Sequence, residues 1–73
     1  MPKAKELLRF LHKHGYEETR QKGSHQILTH AVRPTLSVPI HSGDVPRGLF
    51  LRILKDAGFS EQDFLGGRKK RKV

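Results

Sequence analysis

The chain has 73 residues, 34 % of them hydrophobic and 30 % charged, with a formal net charge of +8 and no cysteine. A chain this short allows one domain, burying only about 60 % of the surface its unfolded form exposes, and its composition suits a folded domain better than a disordered one. Disulfides and thiolate metal sites are excluded, no apolar run approaches the ~20 residues of a membrane span, and MPKAKELLRF carries no signal-peptide pattern, so the expected setting is the cytoplasm.

Ala4, Leu7, Leu8 and Leu11 follow the i, i+3, i+4, i+7 spacing of a helix with one buried face, which predicts a helix from Ala4 to His14 closed by Gly15. His12 and His14 fall in its last turn, where positive charge complements the helix dipole. Two positions apart, they point to different sides, which makes them surface caps before metal ligands. Three strands follow, Tyr16 to Gln21, Ser24 to His30 and Thr35 to His41, with a tight turn at Lys22-Gly23 and a connection over Ala31 to Pro34. In the third, Leu36, Val38 and Ile40 alternate with Thr35, Ser37, Pro39 and His41, so one face is buried. Pro39 cannot donate to a ladder, which suits an edge.

A second helix is expected from Pro46, after the capping and turn residues Ser42-Gly43-Asp44. Phe50, Ile53, Leu54 and Ala57 form its stripe, and Gly58 ends it. In Phe59 to Phe64, Ser60 reads as an N-cap, Asp63 as the reciprocal acid, and Phe59 with Phe64 as a hydrophobic staple. The fold class is α+β, in the order α-β-β-β-α: a three-stranded antiparallel sheet, helices on one face, and a short third helix. This single domain spans residues 1–65, and residues 66–73 are read as a basic flexible tail. The tail holds five of the fifteen Lys and Arg residues, which leaves ten basic and seven acidic side chains, a net +3, in residues 1–65. GGRKKRKV reads as a solvated tail adding non-specific phosphate affinity, as a nuclear localisation signal, or as the remnant of an expression tag.

His25 stands at the start of the second strand, directly after Gly23-Ser24. If Leu28 faces the core, His25, Ile27 and Thr29 lie on the open face; the opposite parity buries His25 with Ile27. Leu28 is the preferred core residue, since that choice leaves Gln26 and His30 near the strand ends. A five-residue connection, 31 to 35, then pairs Leu28 with Val38, Gln26 with Ile40, and His25 with His41, so that two imidazoles share one patch. The start of the second helix, around Val45, Arg47 and Gly48, offers backbone N–H groups and the positive end of a dipole to phosphate. Lys22 and Arg47 are the nearest candidate cations, each equally readable as an ordinary surface charge.

Gly23-Ser24-His25, His30, Val38-Pro39-x-His41, Pro46-x-Gly48 and Ile53-Leu54-x-x-Ala57-Gly58, in this order and spacing, resemble the HicA-type mRNA interferase toxins. The resemblance runs from about Leu7 to Phe64. It implies a fold similar to a double-stranded RNA-binding domain, a ribosome-independent endoribonuclease that degrades mRNA, and a HicB-type antitoxin that blocks the active site. It also implies that His25 is catalytic. The basic tail is not a feature the resemblance accounts for.

The expected protein is therefore a type II toxin that cleaves RNA without metal or cofactor, monomeric alone and hetero-oligomeric with its antitoxin. His25 and His41 are the expected catalytic pair, and Lys22, Ser24, Arg47 and Gly48 the expected RNA contacts. Histidine suits the chemistry because its ordinary pKa of about 6.5 makes both protonation states available near neutral pH. The rival readings are a non-catalytic double-stranded-RNA-binding module, which would carry a larger basic cluster on the second helix, and a small DNA-binding protein using the tail.

Overall fold

The computed structural model of the protein describes residues 2–41 and 43–66. Ser42 and the basic run beyond Gly66 lie outside the described residues. The order is α1 (Ala4–Lys13), β1 (Glu17–Lys22), β2 (His25–Thr29), β3 (Leu36–Pro39), α2 (Arg47–Ala57) and α3 (Glu61–Gly66), with the strands forming an antiparallel sheet in the order β1-β2-β3. Gly66, expected to open the tail, is the last residue of α3.

The helices form where their apolar periodicity demands. Ala4, Leu7 and Leu11 of α1 and Phe50, Ile53, Leu54 and Ala57 of α2 are buried, together with Tyr16, Leu28, Leu36, Val38 and Val45, in one core between the helices and one face of the sheet. Gly15 and Gly58 follow the two helices at φ +96° and +92°, the left-handed conformation that glycine reaches without a Cβ penalty. Pro46 stands at the N-cap of α2, and no side chain caps that end. Gly43 and Asp44, expected to do so, instead clasp the N-terminus. The Gly43 carbonyl accepts from Ala4 N–H at 2.9 Å, Val45 N–H donates to the Pro2 carbonyl at 2.9 Å, and Lys3 Nζ meets Asp44 Oδ1 at 2.9 Å.

At α3 the capping box forms as its sequence specifies: Ser60 N–H donates to Asp63 Oδ2 at 2.8 Å and Asp63 N–H to Ser60 Oγ at 3.1 Å. Phe59 and Phe64, expected to staple to each other, each pack edge-on against Phe10 of α1, at centroid distances of 5.2 Å, so α1 supplies the surface that gathers the two rings.

Two details of the sheet differ from expectation. The first hairpin turns on Gly23-Ser24, one residue later than Lys22-Gly23, and the residues flanking the turn, Lys22 and His25, are paired. Gly23 has φ +61° and Ser24 a negative φ, the signs of a II′ turn, whose first central position favours glycine. The second hairpin pairs His25 with Pro39, Gln26 with Val38, Ile27 with Ser37 and Leu28 with Leu36. This is a slip of two residues from the expected register. It preserves the face of every side chain, because the period of a strand is two, but His25 does not pair with His41.

The cause lies in the connection after β2. His30 leaves the ladder and turns its ring back: Nε2 is 2.9 Å from the His14 carbonyl, and Nδ1 accepts from Val32 N–H at 3.0 Å. Tyr16 Oη donates to the Pro34 carbonyl at 2.7 Å, and burial raises the pKa of that phenol above its ordinary value. Arg33 reaches the Ala57 carbonyl at 2.7 Å, with its guanidinium 4.4 Å from the Phe59 ring centroid. Three anchors, to His14 and Tyr16 between α1 and β1 and to Ala57 of α2, fix where β3 begins.

Candidate active site on the open sheet face

His25 opens the central strand and is exposed, while Leu28 is fully buried. As parity requires, His25 therefore shares the solvent face of the sheet with Ile27 and Thr29. Directly paired residues of antiparallel strands point to the same side with Cβ atoms about 4.5–5.5 Å apart. His25 thus stands between Lys22 on β1 and Pro39 on β3, in the row nearest the Gly23-Ser24 turn. The next row is Arg20, Ile27 and Ser37.

A bulge sets the β1 side of this face. Glu17 pairs with Thr29 and Glu18 with Leu28, but the next pair is Arg20 with Ile27, which leaves Thr19 as the extra residue. Thr19 Oγ1 donates to the Ile27 carbonyl at 3.3 Å, and Gln26 Nε2 to the Arg20 carbonyl at 2.8 Å, pinning the irregularity on both sides. Glu18, before the bulge, faces the helices and meets His12 Nε2 at 3.2 Å. Arg20 and Lys22, after it, share the face of His25. Sequence alone does not single out Arg20, because β1 is exposed along its whole length and so has no apolar alternation to reveal a bulge.

The other expected residues are arranged differently. Ser24 is half-buried, and its carbonyl accepts from Ile40 N–H at 2.8 Å, extending the ladder one residue past Pro39. His41 is exposed and lies beyond that last bond, at the same end of the sheet. Residues 40–46 lead from there to α2. Val45 is buried and its N–H is used by Pro2, so the first-turn residues Arg47 and Gly48 carry what remains of the expected anion site. Arg47 Nη2 is engaged at 2.7 Å by Glu61 Oε1 of α3. A Cβ on Gly48 would meet nothing within 4 Å, so crowding does not account for glycine there.

By contrast, Arg20 and Lys22 make no side-chain ion pair among the described residues, while Lys3, Arg47 and Arg52 each have an acidic partner. The face therefore combines an exposed imidazole with two cations that make no ion pair among the described residues, a surface whose charge favours an anion. Among the described residues, no group of three or more His, Cys, Asp or Glu side chains could hold a metal ion, and no helix is long and apolar enough to cross a membrane.

A family model described as the HicA toxin of bacterial toxin–antitoxin systems matches residues 4–59, from the first residue of α1 through the whole sheet to the residue after Gly58. No match to a curated protein is found.

Proposed function

Because the chain belongs to the HicA toxin family of bacterial toxin–antitoxin systems, we propose that it exerts toxicity as an endoribonuclease acting on mRNA, with His25 as the general base. The observation that carries this reading is the exposed His25 on an open sheet face, paired across the strand with Lys22. RNA supplies its own nucleophile. His25 takes the proton of a 2′-OH, the oxygen attacks the adjacent phosphorus, and the 5′-oxygen leaves as an alcohol, with no metal needed. Proton transfer of this kind contributes about 10²–10⁴ in rate.

Lys22 lies beside the phosphate and offsets the charge that builds on its non-bridging oxygens. The leaving oxygen takes its proton from solvent on this exposed face, with His41 a secondary donor from beyond the ladder. Ser24 holds the turn that presents His25, and Arg47 and Gly48 receive a more distant phosphate once Arg47 exchanges Glu61 for it. A HicB-type antitoxin acts by covering the same open face.

A non-catalytic double-stranded-RNA-binding role is the poorer fit, since the start of α2 carries one arginine, already paired with Glu61. The test is cleavage of single-stranded RNA by the wild type and by His25→Ala. The expected result is EDTA-resistant cleavage by the wild type, none by the folded variant, and none of a strand lacking the 2′-OH. Cutting of the 2′-deoxy strand would refute the route.

A further inference from the structure

Arg20 has no role in the scheme so far, yet β1 is built to aim it. Continued without the bulge, the register of Glu17 with Thr29 and Glu18 with Leu28 would set Arg20 against Gln26, on the helix side of the sheet. The two-residue turn instead sets Arg20 on the open side in unbroken register with Lys22, and the extra Thr19 absorbs the mismatch with the Glu17 and Glu18 pairing. Two residues apart on one face of a strand, the two cations are separated by about 6.6–6.8 Å along the chain, a spacing comparable to that of neighbouring phosphates in an extended nucleic-acid strand. Half-buried Ile27 lies across from Arg20 and half-buried Pro39 beside His25, a low apolar floor on which sugar and base can rest. The row beyond is Glu17 with Thr29, where the charge changes sign and the basic track stops.

We infer that Arg20 binds the backbone phosphate next to the one addressed by His25 and Lys22, so that the sheet face reads a single strand over two consecutive phosphates. This rests on the RNA-cleaving reading for its substrate, but not on the identity of the base. The guanidinium is well suited to this contact, since it grips two phosphate oxygens at once and keeps its charge at every working pH. Arg20 is a positioning residue here. It holds the strand in register so that the neighbouring phosphate lies at His25.

The test is binding of an uncleavable 2′-O-methyl single strand, followed by fluorescence anisotropy over a range of salt, alongside cleavage of the unmodified strand. Arg20→Gln is expected to weaken binding about three- to tenfold and to lower the slope of log K against log salt by about 0.7, the loss of one single-strand phosphate contact. Arg20→Lys should recover most of both, and Arg9→Gln, which removes an exposed cation from α1, should change neither. A dinucleotide with one phosphate, followed through the NMR signal of the His25 ring, should bind wild type and Arg20→Gln alike. Unchanged binding by Arg20→Gln, equal weakening on the dinucleotide, or no binding of the strand by the wild type would each overturn the inference. If Arg20-dependent binding is found while the unmodified strand stays uncut, the nuclease reading falls and this inference stands; His25-dependent cutting with no effect of Arg20 gives the reverse.

Discussion

Lys22 and His25 close the first hairpin as a direct cross-strand pair, so the ammonium and the imidazole share one patch of the open face. The two-residue turn fixes this pair, and the bulge at Thr19 reconciles it with the pairing of Glu17 and Glu18 further along β1. Lys22→Gln should lower kcat about 10- to 100-fold, somewhat less than removal of one donor from an enclosed oxyanion site, because water also stabilises the developing charge on an exposed surface. Lys22→Arg should restore most of the loss. Single-turnover cleavage rates of the three proteins check this, with circular dichroism as the control for folding.

The two-residue slip between β2 and β3 makes a separate prediction for His41. Pro39 holds the position across from His25 and His41 lies past the last ladder bond, so His41→Ala should cost less than about tenfold in kcat. Full proton transfer to the leaving oxygen would instead cost about 10²–10⁴. The pH–rate profile of the variant distinguishes the two outcomes: it should keep the limb set by His25.

Gly15 is held by two constraints at once. Its φ is +96°, and a Cβ there would come 2.8 Å from Nε2 of His30, the atom that meets the His14 carbonyl. Gly15→Ala should destabilise the fold by about 1–3 kcal/mol, from the left-handed backbone and the displaced hydrogen bond. In a His30→Ala background the space is free, so the same change should cost only the backbone part. A double-mutant cycle in urea measures the difference.

The clasp between Lys3 and Asp44 should show in the pH dependence of stability. The hydrogen bond and charge of Lys3 hold the Asp44 carboxyl below its ordinary 3.8, and Asp44 in turn raises Lys3 above 10.5. A carboxyl depressed by folding stabilises the protein above its unfolded pKa and loses that contribution as pH falls through the folded value; the raised ammonium loses its own as pH climbs past 10.5. The difference in melting temperature between wild type and Asp44→Asn should therefore be flat between about pH 5 and 9 and vanish at lower pH.

Local rules placed much of this molecule correctly. The stripes of α1 and α2, the glycines after them, and the Ser60–Asp63 box each depend on residues within a turn or two of one another, so their spacing in the chain is their spacing in space. Even the exposure of His25 followed from one local choice, that Leu28 rather than Ile27 enters the core. Tertiary contacts decided what no window of sequence contains. Tyr16, His30 and Arg33 reach across the fold and set where β3 begins, which took His41 out of line with His25.

The sequence by itself thus determined the order of elements, the buried faces and the side of the sheet on which the histidine stands, because periodicity and side-chain parity are properties of a single segment. Only the folded chain decided who stands beside that histidine. Register belongs to pairs of strands, and here a turn placed at Gly23-Ser24 and a loop tied down by contacts to distant residues put Lys22 and Pro39, with Arg20 one row away, around His25.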